Sequence, residues 1–189
     1  MHARIGRSTF LAFLLCAIVA SGCAGAMSHH VEGPGAAGPP AGHARVYFVL
    51  AQGFPSGRAF VVENERLLGF VGNRQYFFID APAGEHLFML ISEQTEGVRG
   101  SFEAGKTYHM KLFITPGFMS SRVYWSALEA TGEDAAMRKK GIDACRRVEL
   151  NPTKAASWER KYAEKNRTRV ANFEAGKDEA KSIGPQHGL

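Results

Sequence analysis

The chain has 189 residues, with 23 lysines and arginines against 18 aspartates and glutamates, which gives a formal net charge of +5. This basic excess is too small to indicate a nucleic-acid-binding protein. The three cysteines are too few for an intramolecular disulfide framework or a cysteine metal cage in the folded part.

The first residues have the three-part pattern of a secretory signal. His2, Arg4 and Arg7 form a basic start, residues 10–20 are apolar, and small residues follow. A membrane-spanning helix needs about 20 apolar residues, so this run is too short for one. We therefore predict that residues 1–22 are a signal peptide for ordinary Sec-type export.

The segment Ala20-Ser21-Gly22-Cys23 resembles the bacterial lipobox, in which small residues precede a cysteine. The resemblance implies cleavage before Cys23, acylation of its thiol and new amine, and anchoring by several acyl chains, which hold far better than one. Ala20 stands where leucine is usual, and plain cleavage with a free Cys23 is the alternative. Ala24, rather than aspartate, follows the cysteine, which by resemblance implies the periplasmic face of the outer membrane.

Glycine, alanine and proline dominate residues 24–43, which also contain the neighbouring His29 and His30. Such a composition cannot bury a core, so residues 23–43 are predicted to be a flexible, lipidated tether that reaches roughly 25 Å. Without the signal, 21 basic and 18 acidic residues remain, a formal charge of +3.

Short apolar stretches alternate with turn residues from residue 44 to residue 128. About eight strands with turns every eight to twelve residues predict a mainly β domain, a small antiparallel β-sandwich of the transthyretin or immunoglobulin type. Both faces of the stretch 107–114 carry apolar residues, so we expect the C-terminal helices to cover part of its second face. A helical pattern between strands is missing, which argues against a parallel α/β sheet.

Residues 129–182 are predicted to be a helical extension. One helix is expected from about Thr131 to Arg147, and Asn151-Pro152 is a start signal for a second. The second helix has an apolar stripe interrupted by Asn166. The stripe consists of Trp158, Tyr162, Val170 and Phe173. We expect this stripe to pack on the domain; docking of a partner, anionic lipid or polysaccharide is the alternative. Residues 183–189 are predicted to be a disordered tail.

Three segments of the strand-rich region carry a resemblance to a known family. They are ARVYF at 44–48, FFIDAPAGEHLFML at 77–90 and FEAGKTYHMKL at 102–112. They resemble a family of small bacterial envelope lipoproteins with a β-sandwich domain of unknown function, and their turn motifs are similar to those of transthyretin-like sandwiches. The resemblance implies a fold and a location, and it supplies no catalytic residues.

The sequence contains one candidate polar cluster. His86 and His109 are the histidines inside predicted strands, and Asp80 or Glu85 could add an acid for a metal or acid–base site. Nucleophile, metal-protease and nucleotide motifs are missing from the sequence. We therefore predict a non-enzymatic module, without cofactor, that binds an envelope protein or cell-wall component or stabilises a surface complex. The alternative is an enzyme with a cryptic site made of these histidines and an acid.

Two further residue sets have a structural and a functional interpretation. Cys145 is predicted to be a half-buried small residue, and a disulfide to another chain is the alternative. The aromatic set is predicted to belong to the core rather than to a ligand platform. It consists of Tyr47, Tyr76, Tyr108, Tyr124 and Trp125.

Overall fold

The structure is a computed structural model that describes residues 26–33, 35, 37–52, 57–119, 121–129 and 131–189. The predicted signal peptide and the predicted lipidation site Cys23 lie outside the described residues. Within those residues, no helix is both long and apolar enough to span a bilayer.

Eleven strands and two α-helices are formed by the described residues. The strands are β1 (Ser28–His30), β2 (His43–Leu50), β3 (Arg58–Glu63), β4 (Arg66–Gly72), β5 (Gln75–Pro82), β6 (Gly84–Ile91), β7 (Thr95–Phe102), β8 (Thr107–Pro116), β9 (Ser121–Leu128), β10 (Arg146–Leu150) and β11 (Ala180–Ile183). The helices are α1 (Glu133–Asp143) and α2 (Pro152–Glu174), and a 3₁₀ turn spans Pro185–His187.

The strands form two sheets packed face to face, which confirms the predicted β-sandwich. One sheet has six strands in the order β1-β10-β5-β2-β8-β9, and the other has five in the order β11-β7-β6-β3-β4. The sandwich differs from the prediction in having eleven strands and three parallel pairs, β2–β8, β10–β5 and β11–β7. Two of those pairs arise because the C-terminal extension adds a strand to each sheet.

The core lies between the two sheets and is built from alternate residues of the central strands. Phe48 of β2 stacks on Phe77 with ring centroids 4.9 Å apart and meets Phe88 of the opposite sheet edge-on at 5.6 Å. Gly69 makes room for this stack, because a Cβ there would lie 2.0 Å from the Phe77 ring. The inner faces are thus closely packed around this stack.

Helix α2 covers the outer face of the five-stranded sheet through the predicted apolar stripe. The Asn151 side chain caps it by accepting a hydrogen bond from the Lys154 amide at 3.2 Å. Trp158 stacks on Phe60 of β3 at 5.1 Å. Asn166 is fully buried, so it lies within the packed face of the helix. The predicted start and packed face of α2 are confirmed.

The segments predicted to be tether, helix and tail contribute strands and contacts of their own. Strand β1, within the predicted tether, pairs antiparallel with β10. Strand β10 begins at Arg146, so α1 ends at Asp143, before the predicted Arg147. In place of a disordered tail, Ile183 is buried and Leu189 exchanges two backbone hydrogen bonds with Thr107. Strand β10 was not predicted, because its alternating sequence Arg-Arg-Val-Glu-Leu lies between charged segments of the chain.

Candidate functional site

A cavity of about 610 Å³ lies between α1 and the outer face of the six-stranded sheet. Its floor is formed by β2 and β8, its roof by α1, and one side by the turn between β4 and β5. Helix α1 thus covers part of the second face of β8, as predicted. The cavity has an apolar wall, formed by Val49, Phe113, Leu128 and Met137, and a basic part described below.

The cavity exists because α1 does not fill the space above the sheet. Its sequence has no apolar stripe, and its one buried side chain is Arg138. A helix whose one buried side chain is charged cannot interdigitate with the sheet as an amphipathic helix does. Gly141 adds to the space, because a Cβ there would lie 3.5 Å from Val49, the nearest atom.

The charges around the cavity are of one sign. Among the described residues that line it, four are cations, namely Arg74, Lys111, Arg138 and Lys140, and none is an aspartate or glutamate. The acid that acts on Arg138 is Asp134, one turn earlier in α1, and its carboxylate accepts a hydrogen bond from the Glu129 amide at 2.8 Å. A cleft lined by one sign of charge concentrates ions of the other sign.

Arg138 is a buried cation with an incomplete set of partners. Its side chain is 4% exposed, and its Nη2 donates to the carbonyl oxygens of Leu128 and His187. Its Nε and Nη1 have no hydrogen-bond partner among the described residues. Burial lowers the pKa of its guanidinium, because the charged form has lost water.

His109 is a second buried group at the cavity. Its ring is 8% exposed and stacks on Tyr47, with centroids 4.7 Å apart and planes within 4°. Burial lowers the pKa of His109 to about 4, and the nearby Arg138 charge adds to the shift. The ring is therefore neutral at pH 7. Its Nδ1 has no partner in the described structure, and neither does Oδ1 of Asn73, which also lines the cavity.

The predicted partner of His109, His86, lies on the other sheet. His86 is on β6, where its ring packs near Phe88 and Phe102 at 5.6 Å each. Its Nδ1 lies 2.5 Å from a Glu63 carboxylate oxygen, and its Nε2 lies 2.8 Å from the Pro82 carbonyl oxygen. The Glu63 contact raises the pKa of His86. With an acceptor at each nitrogen, the ring is suited to be a structural imidazolium.

Asp80 is held by a different partner on the outer face of β5. It accepts from Arg45 at both oxygens, with distances of 2.7 Å to Nε and 2.9 Å to Nη2. The structure therefore does not bring His86, His109 and Asp80 together. No group of three or more histidines, cysteines or acids that could hold a metal ion occurs among the described residues.

Cys145 and the aromatic set occupy structural positions. Cys145 is half-buried, with its Sγ 3.7 Å from the Leu50 carbonyl oxygen, and burial raises the pKa of its thiol to about 11. Tyr76, Tyr108 and Trp125 are buried, whereas Tyr124 and Tyr47 are partly buried, with Tyr47 on the outer face beside His109. The tyrosine next to the cavity is thus part of the support for His109.

The sequence did not point to Arg138, the residue on which the site centres. The available signal was indirect: the sequence of α1 has no apolar stripe, and such a helix leaves space against a sheet. The position of Arg138 over the Leu128 and His187 carbonyls depends on contacts between segments 10 and 49 residues apart. No local pattern encodes them.

No protein-family model matches the chain, and no curated protein matches it. Among solved structures, the NMR structure of a protein from Eubacterium rectale is similar, with 11% sequence identity and a TM-score of 0.26. The likeness covers 58% of this chain and 88% of that chain. Values this low support no inference about function.

Proposed function

We propose that the mature chain is a lipid-anchored bacterial envelope protein whose β-sandwich is a non-enzymatic binding module, with the cavity under α1 as its ligand site. The cavity carries the proposal, since its volume of about 610 Å³ falls within the range of about 300–1,000 Å³ typical of small-molecule sites. Four buried polar atoms without partners belong to side chains that line it. Buried polar groups are normally satisfied, so a concentration of exceptions indicates a place where a ligand supplies partners.

A binding role is favoured over catalysis by the chemistry of the lining. Among the described lining residues there is no serine, threonine, cysteine, tyrosine, aspartate or glutamate. His109, the one histidine among the described lining residues, has no acid beside it to orient it, and its low pKa makes it a weak base. The cations and the neutral ring can hold a ligand, and none of the described lining residues offers a hydroxyl, thiol or carboxylate nucleophile.

The proposed anchor at Cys23 would keep the sandwich close to the membrane surface. Ser28, five residues further on, is already paired in β1. Five residues span at most about 18 Å when fully extended. The folded domain would therefore lie closer to the membrane than the reach of roughly 25 Å expected for a free tether of residues 23–43. Envelope components would then be within its reach.

The anchor is tested by a Cys23→Ala variant, with Cys145→Ala as the matched cysteine control. Cells are labelled with a clickable fatty acid and then fractionated. We expect label and membrane association in the wild type and the control, and no label in Cys23→Ala. Equal labelling of all three proteins would contradict the anchor.

The binding role is tested by a photo-crosslinking amino acid placed at Met137, which lines the cavity and is 39% exposed. The control position is Lys165, on the exposed side of α2. Irradiation of intact cells should give an adduct specific to position 137. Identical products at both positions, or none at 137, would overturn the binding site.

A further inference from the structure

We infer that the cavity binds an amphipathic anion, in which a carboxylate or phosphate group pairs with Arg138 and an acyl chain lies along the apolar wall. This inference rests on the proposed binding function and extends it by naming the class of ligand. Three observations carry it: the unpaired guanidinium, the surrounding positive charge and the apolar wall.

The unpaired guanidinium calls for an oxyanion. Of its five N–H groups, the two on Nη2 serve the Leu128 and His187 carbonyls, which leaves the three on Nε and Nη1 unpaired within the described structure. Asp134 acts on this charge from one turn earlier in α1, but a buried cation that keeps three unpaired N–H groups is costly unless a ligand brings further opposite charge and hydrogen-bond acceptors. A carboxylate or phosphate supplies both, whereas a neutral ligand supplies at most hydrogen bonds.

Access to Arg138 requires a small adjustment of the wall. Its Nε and Nη1 have almost no solvent-accessible area in the structure. The element able to yield is α1, because Arg138 is its one buried side chain and Gly141 places no side chain against the sheet. An entering anion would reach the guanidinium by displacing α1 or rotating the Arg138 side chain.

The surrounding charge favours an anion before contact is made. Lys111 approaches from β8, Lys140 from α1 and Arg74 from the β4–β5 turn. With Arg138 they place four formal positive charges on one cavity, more than the net charge of +3 of the mature chain. Such a field raises the local concentration and association rate of anions, and salt weakens it.

The apolar wall determines what else the ligand must contain. Val49 and Phe113 come from the sheet, Leu128 lies at the end of β9, and Met137 comes from the roof. Burying an alkyl chain against them strengthens binding by up to about fourfold for each methylene group. A hydrophilic anion would leave this wall in water, and an aliphatic alcohol would bring Arg138 no opposite charge.

A purely structural role for Arg138 is the competing explanation. Through Nη2 it links the end of β9 to the C-terminal turn, which would hold the tail in place. That role uses one nitrogen and leaves the other two unexplained. It also predicts no dependence of ligand binding on Arg138, which makes the two explanations separable.

The experiment titrates the full-length protein, purified in a nonionic detergent, with four probes by isothermal titration calorimetry. Octanoate and octyl phosphate carry both features, octanol lacks the charge, and glutarate lacks the alkyl chain. We expect both amphipathic anions to bind, octanol and glutarate to bind at least tenfold more weakly, and salt to weaken the anions. The preference between carboxylate and phosphate distinguishes a fatty-acid source from a phospholipid source.

Variants locate the site. Arg138→Met should weaken octanoate binding by about 10- to 100-fold, as expected for the loss of hydrogen bonds to a charged group. Arg160→Met, the same change on the exposed side of α2, should bind like the wild type. Because Arg138→Met could also disturb the tail, a second variant fills the cavity. Gly141→Leu should abolish binding, whereas Ala135→Leu, which places the same side chain on the exposed side of α1, should retain it.

Each negative result would overturn a different part of the inference or the proposed function. Octanol binding as tightly as octanoate, with no effect of Arg138→Met, would overturn the anion and leave a binding site at the cavity. Glutarate binding as tightly as octanoate would overturn the apolar component. Binding that is unchanged in Gly141→Leu would place the ligand elsewhere and overturn the inference. Failure of the Met137 crosslink would instead overturn the proposed function itself.

Discussion

Replacing His109 with phenylalanine should make the protein less sensitive to mild acid. Phenylalanine keeps the flat ring that stacks on Tyr47, but it cannot take up a proton. The groups facing His109 are Tyr47 from β2 and the Arg138 charge from α1. The variant therefore isolates the titration of one buried imidazole while retaining most of its packing.

The expected magnitude follows from the pKa of His109. Its ordinary value is 6.5 and burial lowers it to about 4, so on acidification the unfolded chain binds a proton before the folded chain does. Stability is therefore full above pH 6.5 and falls as the pH drops towards 4. At about 1.36 kcal/mol per pH unit, the total loss is about 3 kcal/mol, of which about 2 kcal/mol occurs by pH 5.

The assay is urea unfolding at pH 7.5, 6.5, 5.5 and 5.0, with the exposed His30→Phe as control. Wild type and control should lose about 2 kcal/mol more stability than His109→Phe between pH 7.5 and pH 5. Protonation of carboxylates contributes equally to all three proteins and cancels in the comparison. An equal loss of stability in His109→Phe and wild type would show that His109 is not a buried, neutral imidazole.

Three further predictions address other parts of the molecule. Glu63→Gln removes the contact that raises the pKa of His86. The loss of unfolding free energy in this variant should therefore be largest below pH 6.5 and shrink as the pH rises. Urea unfolding at pH 5.5 and 8 checks this, and a loss that grows with pH would contradict it. Trp158→Ala should lower the free energy of unfolding by about 3 kcal/mol or more. The control Ser157→Ala should change it by less than about 0.5 kcal/mol. Similar urea midpoints for both variants would contradict the packing of α2 on the sheet. The thiol pKa of Cys145 is raised to about 11, so this residue should react with iodoacetamide at pH 8 more slowly than free cysteine. It should also form no disulfide dimer on non-reducing gels. Rapid alkylation or a dimer would contradict its burial.

The sandwich could be predicted because its signals are local. Alternating apolar residues in β2 and β8 mark strands buried on an inner face. Asn151 and Pro152 mark the start of α2, since a side-chain cap followed by proline suits the first turn. These features depend on residues a few positions apart, so the sequence displays them directly.

The remaining features depend on contacts between distant segments. Strand β10 is five residues long and lies between charged helices, and it is stabilised by pairing with β1 and β5. The polar cluster predicted from His86, His109 and Asp80 requires the strands of the two histidines to pair, but those strands belong to different sheets. Arg138 matters because a cavity lies beside it, and the periodicity of the sequence does not predict a cavity.

Native mass spectrometry of the protein released from the envelope of a didermal bacterium tests the anchor and the ligand site together. We expect a chain that begins at Cys23 and carries acyl groups, together with a non-covalent adduct of an amphipathic anion that is lost in Gly141→Leu. A chain without acyl groups, or an acylated chain that retains no such adduct, would contradict this expectation.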